Sequence, residues 1–267
     1  MIYFIEGAPA VGKSFYSRKL KGKLEGKKEV VYYKEEYKNP IDLLRQAVLS
    51  HTEYTRFMDH LRTLCTNETY ALLERDITNS ITNVDKMFII PFMHINTYTD
   101  EQRRWMDSLY EKEIDDGKSL YEDYCSMIIK RIQKFLNEYE PEKDYIFEGA
   151  LLHNPLFSIL GFYDVTDRDL LDFYKKIEII LSSVEYEIHV VCCDSIRNAI
   201  EHAIISRKTQ VVFEWQEGFD RWFSQSINYR DFHGKEGIVL FSKKIESVEK
   251  IILERVFSNY KKIKREV

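Results

Sequence analysis

The residues best suited to chemistry form a short run near the N-terminus with the pattern G-x-x-x-x-G-K-S. The run consists of Gly7, Ala8, Pro9, Ala10, Val11, Gly12, Lys13 and Ser14. Its glycines permit backbone angles that turn consecutive N–H groups toward phosphate oxygens. Lys13 adds a mobile positive charge for the β- and γ-phosphates, and the Ser14 hydroxyl can bind Mg²⁺. The run therefore predicts a site for ATP and Mg²⁺.

The residues on either side supply the context that this motif requires. Residues 2–6 are almost continuously apolar, which is typical of a buried strand in a parallel sheet. Residues 14–24 have apolar side chains at helical spacing, so a helix should point its positive end at the bound anion. The alternative is a glycine-rich turn without a ligand, for which this placement between strand and helix would be a coincidence.

Two further positions place acids at the ends of predicted strands. Glu148 ends an apolar strand and is interpreted as a ligand that faces the Mg²⁺, directly or through water. The alternative is a buried acid paired with a base. Glu35 and Glu36 follow the second strand, and one of them, preferably Glu35, could accept the proton of an acceptor hydroxyl. The alternative for both residues is a solvated turn.

Cations in the segment between the fourth and fifth predicted strands are candidates for neutralising a transferred phosphoryl group. Arg207 is the preferred candidate, followed by Arg197 and Lys208. The alternative is that these residues form the solvated face of a helix. His153 and Asn154 follow Glu148 and could line an acceptor pocket, or Asn154 could cap a helix that begins at the next residue, a proline.

These side chains must be positioned by an alternation of strands and helices, which predicts an α/β fold with a mostly parallel sheet. The strands are predicted at 2–6, 30–33, 144–149, 187–194 and 237–241. Their carboxyl ends would gather the G-x-x-x-x-G-K-S run and the acids at one edge. We expect a single domain over residues 1–267, with a mainly helical insertion at about 52–140 and a lid region at about 195–233. Further helices are predicted at about 41–48, at 167–182 and at 245–260, and the basic C-terminal tail is expected to be solvated.

The composition of the chain limits which binding partners and which cellular compartment are expected. The formal charge is −5, with both signs mixed along the chain, so neither nucleic acid nor an acidic membrane is an expected partner. The cysteines lack metal-ligand spacing and are interpreted as reduced, mostly buried thiols of a cytoplasmic protein. No apolar run approaches the roughly 18 residues of a membrane span. The expected partners are a nucleoside triphosphate and a small-molecule acceptor, and the oligomeric state stays open, a homodimer included.

The G-x-x-x-x-G-K-S run (a Walker A motif), the acids after the second strand and the strand ending in Glu148 together resemble P-loop kinases of the nucleoside and nucleotide kinase superfamily. The similarity is closest to deoxynucleoside and thymidylate kinases. It implies a three-layer P-loop NTPase fold, with a five-stranded parallel sheet in the order 2-3-1-4-5, helices on both faces and a helical lid between strands four and five. It also implies Glu148 near Mg²⁺, Glu35 or Glu36 as a base and Arg207 in the lid. Those kinases have an arginine after the third-strand glutamate, where this chain has Gly149.

The sequence thus predicts an ATP- and Mg²⁺-dependent kinase that acts on a small molecule such as a nucleoside, a nucleotide or an antibiotic. The alternative is a P-loop NTPase that hydrolyses nucleotide and acts as a switch on a protein partner. The chain lacks an N-K-x-D guanine-reading motif and an apolar strand ending in Asp-Glu, and both absences disfavour the switch. A third possibility is a protein that binds nucleotide without catalysis.

Overall fold

Two separate runs of the chain, Met1–Glu35 and Glu138–Val267, build one unit, and the run between them, Glu36–Asn137, builds a second. The structure is a computed structural model that describes residues 1–35, 39–92, 95–207 and 215–264. Strands and helices are numbered along the chain. The second unit contains most of the predicted helical insertion, while the assignment of the whole chain to a single domain stays a prediction.

A five-stranded parallel sheet forms the centre of the first unit. Its strands are β1 (Ile2–Glu6), β2 (Val30–Tyr33), β6 (Asp144–Glu148), β7 (Tyr186–Cys192) and β8 (Tyr260–Lys264). Along the sheet they follow the order β2-β6-β1-β7-β8. The predicted parallel α/β architecture is confirmed, and the central, buried β1 carries the G-x-x-x-x-G-K-S run at its carboxyl end.

The order differs from the predicted one in its last strand. Residues 237–241 were expected to be the fifth strand, but they lie within the helix α10 (Gly234–Arg255). The fifth strand in chain order is instead β8, which covers most of the predicted solvated tail and pairs with β7. A short apolar run cannot by its pattern alone be distinguished from a buried helix segment, and here the helix is the observed structure.

Helices lie on both sides of this sheet. They are α1 (Lys13–Leu24), α6 (His153–Phe162), α7 (Asp167–Leu181), α8 (Ile196–Arg207), α9 (Trp215–Gln225) and α10. The predicted helices at 14–24 and 167–182 are confirmed by α1 and α7. The described part of the predicted lid consists of α8, α9 and the turn after α9, whereas residues 208–214, which include Lys208, lie outside the described residues.

The second unit combines helices with a small antiparallel sheet. Its helices are α2 (His51–Thr63), α3 (Asn67–Thr78), α4 (Asp100–Asp107), a short 3-10 helix (Ser108–Lys112) and α5 (Tyr121–Glu138). Its sheet has the order β3-β5-β4, with β3 (Ala47–Leu49), β4 (Thr82–Val84) and β5 (Met87–Ile90). The helical prediction for this region is confirmed in its main part, but it omitted the sheet.

The predicted helix at 41–48 is wrong. Asn39 accepts hydrogen bonds from the backbone N–H groups of Ile41 (3.1 Å) and Asp42 (3.2 Å), which folds the chain into a turn. The strand β3 follows at Ala47, so the apolar residues of this stretch serve a turn and a strand.

Two further findings concern the whole described chain. None of its helices combines the length and the apolar character needed to cross a membrane. All four cysteines are free thiols, but only Cys125 is buried, so the expectation of mostly buried thiols is wrong.

Candidate functional site

The loop Gly7–Ser14 joins the end of β1 to the start of α1. Three of its residues have positive φ angles, namely Gly7 (133°), Ala10 (65°) and Gly12 (102°). At Gly7 the lack of a side chain is also a spatial requirement, because a Cβ there would lie 2.4 Å from the carbonyl oxygen of Val191 in β7. Left-handed residues placed among right-handed ones allow successive N–H groups to converge on an anion.

The N-terminus of α1 lies at the end of this loop. Gly12 is the N-cap, and no side chain in the described residues caps the helix. The first turn, which is fully described, contains no acidic residue. The amides at a helix N-terminus and the positive end of its dipole favour a bound anion. The loop and helix therefore suit the phosphates of a nucleotide such as ATP.

Lys13 is the buried cation of the loop, with 6% of its surface exposed. Its Nζ donates hydrogen bonds to the carbonyl oxygens of Gly7 (3.1 Å) and Ala8 (3.4 Å). The same Nζ lies 4.0 Å from Oε2 of Glu35. The structure thus brings together two residues that the sequence nominated as catalytic, while Glu36 lies outside the described residues.

Glu35 also contacts the connection between β6 and α6. Its Oε1 lies 3.7 Å from Nε2 of His153, the first residue of α6. The pKa of His153 is well below its ordinary value, first because the ring is buried and second because Lys13 is near, so the imidazole is neutral at neutral pH. His153 therefore lies beside the nominated base, as an acceptor-pocket role requires. Asn154 lies within the first turn of α6 and not at its N-cap, so the capping alternative for it is wrong.

The backbone conformation of Gly149 explains why this position departs from the pattern of the kinases that the sequence resembles. Its φ angle is +71°, in the left-handed region. A Cβ at this position would lie 3.5 Å from Cδ2 of His153 and 3.6 Å from Oε2 of Glu35, which are ordinary contact distances. An arginine, which the resemblance would place here, is therefore disfavoured mainly by the positive φ angle and less by a lack of room for its Cβ.

Glu148 is joined to two hydroxyl groups, and we call Ser14, Tyr32 and Glu148 the hydroxyl–carboxylate group. The Ser14 hydroxyl donates to Oε1 of Glu148, and the Tyr32 hydroxyl donates to Oε2. The Glu148 side chain is almost fully buried. Burial, followed by the hydrogen bond to Glu148, raises the pKa of Tyr32, so the phenol stays protonated.

The donor set fits a Mg²⁺ ion that is shared with phosphate. The described residues contain no group of three or more His, Cys, Asp or Glu side chains that could hold a metal by themselves. Hydroxyl and carboxylate oxygens are nevertheless ligands that Mg²⁺ prefers, and proteins usually bind this ion through one or two carboxylates together with substrate phosphates. Ser14, with Glu148 behind its hydroxyl, would hold the ion in this way.

Two further acids, Glu6 and Glu249, are buried in the first unit, and neither was predicted from the sequence to belong to the site. Glu6 accepts hydrogen bonds from the backbone N–H groups of Leu151 (3.0 Å) and His153 (2.8 Å), and burial raises its pKa to about 7 against the effect of these bonds. Glu249 of α10 has its pKa raised to about 8, mainly by burial and then by the Glu6 carboxyl, while Lys13 and the Gly7 amide oppose the shift. We call Glu6 and Glu249 the buried acids.

Arg207 is the last residue of α8 and is exposed. Its guanidinium lies 4.8 Å from the centroid of the Trp215 ring at the start of α9, in a cation–π contact. Its predicted role toward a phosphoryl group stays a prediction. Arg197, the weaker candidate, instead forms an exposed bidentate ion pair with Glu236 at the start of α10.

Sequence reasoning missed Tyr32, Glu6 and Glu249. Tyr32 resembles any aromatic strand residue, and its hydroxyl partner depends on how β2 and β6 are paired. Glu249 resembles a polar position on a helix until packing buries it. A signal was present only for Glu6, which is an acid within an apolar strand directly before the loop.

Comparisons with protein-family models, with curated proteins and with solved structures found no match. The structure by itself defines an α/β unit with a five-stranded parallel sheet. Membership of the nucleoside and nucleotide kinase superfamily stays a prediction.

Proposed function

We propose that this protein is an ATP- and Mg²⁺-dependent phosphotransferase that acts on a small-molecule acceptor. The observation that carries the proposal is the 4.0 Å separation of the Lys13 Nζ, in a loop suited to phosphates, from the carboxylate of Glu35. A lysine that reaches the terminal phosphates places a nearby carboxylate within range of the attacking nucleophile. A base at this position favours transfer to an acceptor hydroxyl.

Each group would then have a distinct role. Lys13 exchanges its bonds to loop carbonyls for bonds to the β- and γ-phosphates. Ser14, with Glu148 behind its hydroxyl, would hold Mg²⁺, and the bound ion would neutralise phosphate charge. Glu35 accepts the proton of the acceptor hydroxyl as that oxygen bonds to the γ-phosphorus and the bond to the β-phosphate oxygen breaks. Arg207 is proposed as the cation that a closing lid would add.

The acceptor would be a small molecule with a free hydroxyl or phosphate, and a nucleoside or nucleotide is the leading class. His153 and Glu35, which face each other at 3.7 Å, are proposed to contact it. A P-loop NTPase that acts as a switch would use the same loop, but its reaction is with water. Such a protein does not need a base placed to deprotonate an acceptor molecule.

The experiment is to measure ATP consumption with and without a panel of nucleosides, nucleotides and aminoglycoside-like compounds. A phosphorylated product formed with one acceptor class, detected by mass spectrometry, supports the proposal. ATP hydrolysis that no acceptor changes would overturn it in favour of the switch. Loss of all turnover in Lys13→Ala is expected in either case.

Glu35→Gln tests the proposed base. Loss of a general base typically lowers the rate 10²- to 10⁴-fold, so transfer should fall within about this range while ATP binding persists. Glu25→Gln, at an exposed residue that pairs with Lys21 (3.1 Å), is the matched control and should retain full activity. Equal rates for the two variants would remove Glu35 from the mechanism.

A further inference from the structure

Tyr32 holds one of the two oxygens of Glu148, and Ser14 holds the other. The two donors come from different elements, since Ser14 belongs to α1 and Tyr32 to β2. The carboxylate they share lies at the end of β6 and is 2% exposed. With a hydroxyl on each oxygen, the plane of this carboxylate is fixed.

The strand pairing explains why Tyr32 can reach Glu148. In the parallel pair of β2 and β6, Tyr32 is in register with Ile146. Side chains two residues apart on a strand share a face, so Glu148 lies on the same face as Ile146. The next residue, Tyr33, belongs to the opposite face, where its ring stacks on Phe147 with the centroids 5.0 Å apart. Of these two adjacent tyrosines, Tyr32 is therefore the one whose hydroxyl bonds to Glu148.

The chemistry of a hydroxyl connects this arrangement to a cation. Ser14 Oγ has one proton and two lone pairs. It can give the proton to Glu148 and still offer a lone pair to Mg²⁺. A carboxylate that turns away from Ser14 would leave the hydroxyl proton free to point at the ion. The orientation of Glu148 thus decides whether Ser14 is a good ligand.

We propose that Tyr32 is a positioning residue, which sets the carboxylate of Glu148 so that the Ser14 hydroxyl oxygen faces the Mg²⁺ of the bound nucleotide. This inference rests on the proposed function. Tyr32 does not touch the ion or the reacting phosphate, and it acts through Glu148. Groups that orient metal ligands typically change metal affinity 10- to 100-fold when they are removed.

The test compares Tyr32→Phe with the control Tyr33→Phe, each of which removes one oxygen atom. Binding of a non-hydrolysable ATP analogue is measured by isothermal titration calorimetry across a Mg²⁺ series and in EDTA. Tyr32→Phe should need at least about 10-fold more Mg²⁺ for half of the maximal affinity gain. Affinity in EDTA should be the same in all three proteins, and Tyr33→Phe should follow the wild type throughout.

A double-mutant cycle guards against a general structural effect. In a Glu148→Gln background, Tyr32→Phe should cause no further change in Mg²⁺ dependence, because its target carboxylate is gone. An additional loss in that background would overturn the positioning role. So would a Mg²⁺ series for Tyr32→Phe that superimposes on the wild type, although the nucleotide site would then stand. Failure of the wild-type protein to bind the analogue at any Mg²⁺ concentration would overturn the proposed function, and this inference with it.

Discussion

Two buried carboxylates end neighbouring strands of the sheet, and they are held in different ways. Glu148 on β6 receives side-chain hydroxyls from Ser14 and Tyr32. Glu6 on β1 receives backbone N–H groups of Leu151 and His153. Ser14 lies where the loop enters α1 and has a lone pair to spare for a ligand. The amides that hold Glu6 lie just before α6 and at its first residue, and each has its single proton engaged.

The contrast indicates different tasks for acids that are alike in type and burial. In the hydroxyl–carboxylate group, Ser14 can keep its hydrogen bond to Glu148 and still offer a lone pair to a ligand. Glu6 instead fixes the backbone, since it ties Leu151 and His153 to the strand that precedes the loop. Burial raises the pKa values of the buried acids to about 7 and about 8, against the opposing effect of backbone N–H groups. Three substitutions test the loop and the acids beside it.

The largest effect is expected from Gly7→Ala, because Gly7 separates Glu6 from the rest of the loop. A Cβ would lie 2.4 Å from the Val191 carbonyl oxygen, and the φ of 133° is unfavourable for alanine. We expect the free energy of unfolding to fall by about 3 kcal/mol or more, together with nucleotide binding. Urea denaturation and calorimetric titration measure the two losses.

Gly22→Ala is the matched control for that change. Gly22 lies within α1, and a Cβ there would meet no atom within 4 Å. The substitution should raise the free energy of unfolding by up to about 1 kcal/mol, since alanine favours a helix more than glycine does. If the two variants had the same stability, the close approach of the loop to β7 would be refuted.

A smaller effect, which depends on pH, is expected from Glu249→Gln. Unfolded Glu249 ionises near its ordinary pKa of 4.5, whereas the folded residue stays protonated until about pH 8. The folded state therefore binds more protons between these values, and the free energy of unfolding of the wild type should fall as pH rises from 4.5 to 8. Glutamine does not titrate, so the variant should gain stability relative to the wild type as the pH rises from 4.5 to 9.

Urea denaturation at pH 5, 7 and 9 measures this difference, and Glu254→Gln provides the control. Glu254 lies further along α10, is exposed and pairs with Lys250 at 3.8 Å, so its substitution should leave the slope of the pH profile unchanged. Glu6 still titrates in the Glu249→Gln variant, and the slope should therefore decrease without vanishing. A variant whose profile runs parallel to the wild type would show that Glu249 is not a buried, protonated acid.

The smallest effect is expected from Ala10→Gly, which tests whether the loop conformation has a cost of its own. Ala10 has a φ of 65°, and the left-handed region costs a non-glycine residue about 1–2 kcal/mol. Glycine removes this cost but loses about 0.5–1 kcal/mol in conformational entropy, so the net gain in stability should be at most about 1 kcal/mol. Thermal denaturation detects a change of this size.

The control for Ala10→Gly is Ala71→Gly on the exposed face of α3. Glycine in an exposed helix interior should reduce the free energy of unfolding by about 1 kcal/mol. The two substitutions are therefore expected to have opposite signs. A loss at both positions would mean that Ala10 is not strained and that the loop needs its side chain.

The parts of the fold that could be predicted are those with a local signal. β1, α1, β2 and α7 were predicted nearly to their ends, because continuous apolar runs and helical spacing are local patterns. The fifth strand was assigned wrongly since residues 237–241 are apolar in either conformation. β8 was missed because three of its five residues are lysines, which are tolerated at a sheet edge but do not signal a strand.

The candidate site divides in the same way. The Gly7–Ser14 run, Glu35 and Glu148 were found from the sequence, because the motif has a fixed spacing and the acids directly follow or end strands. Tyr32 was not found, since its contact with Glu148 depends on the register of β2 and β6. Glu249 was not found either, because its burial depends on how α10 packs, and no spacing of residues encodes that.

The sequence by itself determined a strand, a glycine-containing loop and a helix in immediate succession, and with them a surface suited to phosphates. Short-range rules are enough for this, because the φ angles that glycine permits and the dipole of a helix are properties of neighbouring residues. Only the tertiary structure decided which acids share the loop's surroundings and which of them receive hydroxyls or amides. Those partners come from strands and helices more than a hundred residues apart in sequence, and only the pairing of β1, β2 and β6 brings them within hydrogen-bonding distance.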